Sequence, residues 1–136
     1  MTDLLTRIEQ GQPVKAQEIF DYSVSKVIEQ GVQARGAQNQ CAYRGENGTK
    51  CTFGHVIPDA LYKRSMEGMN AKALLCTEPM YSINNATALQ PSLEVHVDLL
   101  EALQAAHDNV SANNFVPNFR RRAEAIAATH GLTFKF

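Results

Sequence analysis

From its N-terminus the chain alternates apolar stripes of helical period with polar, glycine-marked breaks. Leu4, Leu5 and Ile8 share one face of a short helix over Thr2–Gln10, and Gly11 stops it. Pro13 then opens a longer helix, at the first helical position where its missing N–H costs nothing. Ile19, Phe20, Ser23, Val24, Val27 and Ile28 recur at helical spacing as one stripe. Gly31 followed by Val32 predicts a Schellman-type ending, with Val32 folded back on the last turn. Residues 33–40 are polar and read as a loop.

The period then changes. Residues 41–53 read as a β-hairpin turning at Asn47-Gly48. Residues 54–58 either continue a strand or begin a short helix broken at Pro58. Asp59–Met66 predicts one to two helical turns ending at Gly68, and Asn70 caps a brief helix that holds Leu74, Leu75 and Cys76. Residues 77–91 form a turn-rich connector. Ser92 caps the next helix, which carries Leu93, Val97, Leu100, Leu103 and His107. Pro117 opens the last helix, with Phe119, Ala123, Ile126, Ala127 and His130 inward. Gly131-Leu132 repeats the earlier ending, and Phe134 and Phe136 make an apolar tail. The expected fold is mainly α, or α+β with one small β-hairpin: a compact bundle of four to five helices around a hairpin at about 41–53. No strand–helix alternation supports a parallel sheet.

Composition narrows the class. A chain of 136 residues and 15.0 kDa predicts a single domain over 1–136. With 44% hydrophobic and 20% charged residues, intrinsic disorder and a coiled coil are both excluded. No apolar run approaches the length of a membrane span, so no membrane partner is expected. The net charge of −1 lacks the basic footprint of a nucleic-acid binder. Its distribution is uneven: residues 73–119 contain no Lys or Arg but carry Glu78, Glu94, Asp98, Glu101 and Asp108. This reads either as ordinary charge scatter or as a dipolar surface whose acidic face steers a basic partner. Cys41, Cys51 and Cys76 are an odd set, against a disulfide framework, and the N-terminus lacks a signal-peptide pattern. A reducing, cytoplasmic location is expected.

Candidate chemistry concentrates in residues 41–59, CAYRGENGTKCTFGHVIPD. Three readings compete. In the first the cysteines are small apolar groups, Tyr43 and Phe53 pack the hairpin, and the glycines serve its turns. In the second, Cys41, Cys51 and His55 ligate zinc, although C-x9-C-x3-H is not a standard finger spacing. If residues 51–55 were helical, Cys51 and His55 would align at i, i+4. In the third, Cys51 is a nucleophile with His55 or His107 as base. Further on, His107-Asp108 closes a helix, and Arg120-Arg121-Arg122 fans around another, solvated or paired with the acidic helix, with phosphate or nucleic-acid contact as the alternative.

The pattern C-x-Y-R-G-x-x-G-x-K-C-x-x-G-x-x-I-P-D over Cys41–Asp59 resembles a group of small uncharacterised proteins of tailed phages, prophages and bacteria. The likeness extends more weakly to Met66-Glu-Gly68 and to Leu103-x-x-x-His107-Asp108. In that group the position of His55 is often cysteine, an exchange that suits a metal ligand. The resemblance implies a phage accessory or host-interaction role. The expected function is a small soluble protein-interaction module that binds a protein partner or self-associates. Tyr43, Arg44, Lys50, His107 and Asp108 are its candidate binding residues. The Phe134–Phe136 tail and Met66, Met69 and Met80 are its adaptable contact surface. The alternative is a small-ligand or zinc-binding protein, or an enzyme, using the Cys41–Asp59 loop with His107. It requires Arg44, Lys50, Cys51, His55 and His107 to line one pocket.

Overall fold

The computed structural model describes residues 3–36, 42–75 and 84–136. The fold is mainly helical. The elements are α1 (Leu4–Glu9), α2 (Ala16–Gln30), α3 (Thr52–His55), α4 (Ala71–Leu75), α5 (Asn84–Leu93), α6 (Val97–Asp108) and α7 (Phe115–Thr129). Short 3-10 turns at Glu46–Gly48, Asp59–Leu61, Arg64–Met66 and Glu94–His96 join them.

The helical stripes form the core. Ile19, Phe20, Val24 and Val27 of α2 are buried against Phe53 of α3, Leu99, Leu100 and Leu103 of α6, and Phe119, Ala123 and Ala127 of α7. Asp3 caps α1 by accepting from the Thr6 N–H at 2.8 Å, which satisfies a donor the helix itself leaves unpaired. Gly31 ends α2 in the left-handed region at φ 77°. Val32 does not fold back onto that helix but stands 52% exposed.

Several boundaries move under tertiary contact. The long helix begins at Ala16 rather than Pro13. There Glu18 accepts the Lys15 N–H at 3.1 Å and also holds Arg7 of α1, so the side chain that starts α2 ties it to α1. The expected connector is helical from residue 84, through Pro91. Burial of Leu89 and Leu93, and a 2.9 Å hydrogen bond from Gln90 to the Leu75 carbonyl, outweigh the proline. Ser92 therefore lies inside α5 and donates its hydroxyl to the Gln12 carbonyl instead of capping. His130 is exposed, not core-facing. Phe134 and Phe136 pack on Phe20 at ring separations of 6.4 and 6.5 Å, so the tail closes the core.

The hairpin expected at 41–53 is not a pair of strands. Arg44 and Lys50 meet in an isolated antiparallel bridge around the 3-10 turn. Side chains occupy the backbone groups that further strand pairing would use. Glu67 accepts the N–H groups of Tyr43 and Arg44 at 2.9 and 3.1 Å. The Gln30 amide donates to the Lys50 carbonyl at 3.0 Å and accepts the Lys50 N–H at 2.8 Å. With those groups satisfied, Cys51 turns the chain straight into α3. Among the described residues no helix is long and apolar enough to cross a membrane.

Candidate functional site

Residues 42–70 have little regular structure and are held by polar contacts to their own backbone and to α2 and α6. Two glycines make this possible. A Cβ on Gly54 would sit 2.0 Å from the Tyr43 carbonyl oxygen, and one on Gly45 would sit 2.7 Å from the backbone of Arg35. Only a residue without a side chain lets these segments approach so closely.

Arg44 and Glu67 organise the network. The Arg44 guanidinium pairs with Asp59 at 2.7 Å, donates to the Ile57 carbonyl at 3.1 Å and lies over the Tyr62 ring, 4.3 Å from its centre. Tyr62 in turn donates its hydroxyl to Glu67 at 2.6 Å. Burial and this bond to a carboxylate push the Tyr62 phenol up to about 12. Tyr43 is buried edge-on against Phe53, donates its hydroxyl to the Met69 carbonyl, and burial holds its phenol far above the usual range.

Cys51 caps α3. Its sulfur accepts the Gly54 N–H at 3.2 Å, and complete burial drives the thiol well above its ordinary pKa. It is therefore a buried, protonated thiol, the reverse of a nucleophile's environment. Residues 52–55 are helical as one expectation required, and His55 follows Cys51 by one turn. His55 Nε2 is buried with no hydrogen-bond partner among the described residues, as is Thr52 Oγ1. Burial, aided by the charges of Lys50 and Lys26, lowers the His55 pKa to about 4. Among the described residues no three His, Cys, Asp or Glu side chains gather to hold a metal ion, and Cys41, the third expected ligand, lies outside them. Cys76 and Met80 also lie outside the described residues.

His107 is fully buried against Phe115 near the end of α6. Its Nε2 accepts the Ala34 N–H at 3.0 Å, so that nitrogen carries no proton, and Nδ1 donates to Asp108 at 2.8 Å. Gln33 completes the junction by donating to the carbonyls of His107 and Val110 at 2.6 and 2.9 Å. Both nitrogens of the expected base are thus committed to joining the Gln33–Ala34 segment to α6.

A cleft of about 370 Å³ opens beside this junction. One wall is Ala42, Tyr43, Cys51 and Glu67–Asn70, and the other is Glu101, Gln104, Ala105, Asp108 and Asn109 of α6 and its end. Of the five residues that an active loop would have brought together, Cys51 lines the cleft; Arg44, Lys50, His55 and His107 do not. Of the candidate binding residues, Tyr43 and Asp108 do. Glu67, Glu101 and Gln104 were not singled out individually from the sequence. The signal available for Glu101 was the acidic, cation-free stretch 73–119. Comparison with protein-family models, curated proteins and solved structures finds no match to this chain.

Proposed function

We propose that the chain is a protein-interaction module and not a catalyst, and that the cleft between residues 67–70 and α6 receives a cationic segment of a protein partner. The observation that carries this reading is the lining of the cleft: Glu67, Glu101 and Asp108 contribute carboxylates, and no Lys, Arg or His lines it among the described residues. Partly desolvated carboxylates attract ammonium and guanidinium groups more strongly than exposed ones do. Gln104, Asn70 and Asn109 offer neutral hydrogen-bond partners around them, and Met69 a deformable apolar contact. The internal commitments of Cys51, His107 and Arg44 support a non-catalytic role, since Cys51 caps α3, His107 joins Ala34 to the end of α6, and Arg44 pairs with Asp59 within residues 42–70. The likeness of residues 41–59 to phage proteins suits an accessory or host-interaction role.

The test is an amide-shift titration of the labelled protein with a short Lys/Arg-rich peptide and, separately, a Glu-rich peptide of equal length. The basic peptide moves the amides of Gly68, Met69, Asn70, Ala105 and Asn109, and Glu101→Lys abolishes the response. Equal responses to both peptides, or shifts that avoid these amides, overturn the reading.

A further inference from the structure

We infer that Thr133–Phe136 is a peptide arm, that the face of α2 beneath it is a peptide-recognition surface, and that two copies of the chain exchange these arms to form a dimer. None of the residues that line the cleft takes part.

The recognition surface is Gln17, Phe20 and Asp21, whose spacing puts them on one face of α2. The Gln17 side-chain amide pairs with residue 133 as a neighbouring strand would. It accepts the Thr133 N–H at 2.9 Å and donates to the Thr133 carbonyl at 3.0 Å. The same amide donates to Asp21 at 2.8 Å, which fixes the way it points. The other oxygen of Asp21 pairs with Lys135 at 3.1 Å. Phe134 and Phe136 sit on Phe20 and on each other, at ring separations of 6.4, 6.5 and 5.9 Å. Exposure alternates along the arm: Thr133 and Lys135 are exposed, and Phe134 and Phe136 are partly buried. This is how an extended peptide is held, by its backbone and by every second side chain.

The arm is joined to one helix and bound to another. Leu132 donates its N–H to the Ala127 carbonyl at 2.8 Å and so belongs to the end of α7. From Thr133 onward, the arm's polar contacts among the described residues all go to α2. Little holds it shut: only part of each ring is covered, and Lys135–Asp21 is an open ion pair. Release bares Phe20, which is fully buried beneath the arm, so an opened copy captures an arm again. The contacts are identical whether that arm is its own or a second copy's, and concentration then sets the balance. Four extended residues reach about 13 Å. Because α2 and α7 pack together, a twofold axis on this face sets each arm beside the other copy's α2. An open groove of about 470 Å³ beside Phe136, against Leu4 and Tyr22, leaves room for the incoming chain.

Sedimentation velocity on the full wild-type chain shows a dimer as concentration rises. In a mixture of isotope-labelled and unlabelled copies, isotope-filtered nuclear Overhauser spectra connect Phe20 of one copy to Phe134 and Phe136 of the other. Because the same contacts hold the arm in either state, Asp21→Lys or Lys135→Glu alone changes the dimer Kd little. When these two variants are mixed, opposite charges meet only between copies, and the mixed dimer forms with a Kd roughly tenfold or more below the wild type's. Thermal melts establish that each variant is folded, and the wild-type spectra do not depend on either. A wild-type chain that stays monomeric at every concentration overturns the inference. So does a dimer without these ring contacts between copies, or a mixture of folded variants that associates no better than each alone.

Discussion

Residues 42–70 and the scaffold of α2, α6 and α7 bury side chains equally well by opposite means. The scaffold relies on apolar stripes at helical spacing, and its backbone satisfies itself within each helix. Residues 42–70 have almost no backbone ladder. They are held by Glu67, Gln30 and Arg44, whose side chains take up backbone groups that a sheet would have paired. A helical face tolerates loss of volume in graded fashion, because neighbours relax partway into the gap. A segment built on close backbone approach has no such give.

The largest expected effect sets the two regions directly against each other. Gly54→Ala adds one methyl group where the Tyr43 carbonyl oxygen already sits 2.0 Å from the new carbon. It destabilises by ~4 kcal/mol or more, because backbone on both sides must shift. Leu103→Ala removes three carbons from the fully buried face of α6 and costs ~3 kcal/mol. Urea unfolding of both variants measures the difference. A milder effect for Gly54→Ala would mean that residues 42–70 yield as the helices do.

Next in size is Glu67→Gln. The substitution keeps the shape but removes the charge that accepts from Tyr43, Arg44 and Tyr62, and it sets an amide donor against one of those donors. A loss of ~2 kcal/mol follows, again read by urea unfolding. If Glu67→Gln were silent, the carboxylate would not be what holds the loop.

The smallest effect concerns pH. His55 titrates near 4 in the folded chain, chiefly because burial opposes its charge, with Lys50 and Lys26 adding to the effect. The unfolded chain titrates near the ordinary 6.5. Between these values the unfolded state binds more protons, so stability rises with pH through the window. The contribution of neutral His55 is complete above about 6.5 and is lost as pH falls toward 4. Partial exposure of the ring limits it to roughly 1–2 kcal/mol. His55→Leu flattens that part of the stability profile, whereas Leu103→Ala lowers the whole profile without changing its slope there. An unchanged slope in His55→Leu would assign the acid sensitivity to other groups.

What the sequence determined by itself was whatever depends on period and local capping. The α2 stripe, the inward residues Phe119, Ala123 and Ala127 of α7, the Asn70 cap of α4 and the turn at Gly31 were all legible, because each is set by neighbours within one or two helical turns. The stretch 73–119, acidic and without Lys or Arg, foreshadowed the acidic side of α6. Tertiary structure decided the rest. Asn47-Gly48 did specify a reversal, but whether its flanks became strands depended on Glu67 and Gln30, each about twenty residues away. The helix through Pro91 depended on α1 and α4 covering it. His107 reads in sequence as a candidate base, and only the Ala34 N–H, brought to it by the fold, makes it a structural acceptor. Backbone groups must find partners wherever they are buried, and local sequence does not say which distant side chain will supply them.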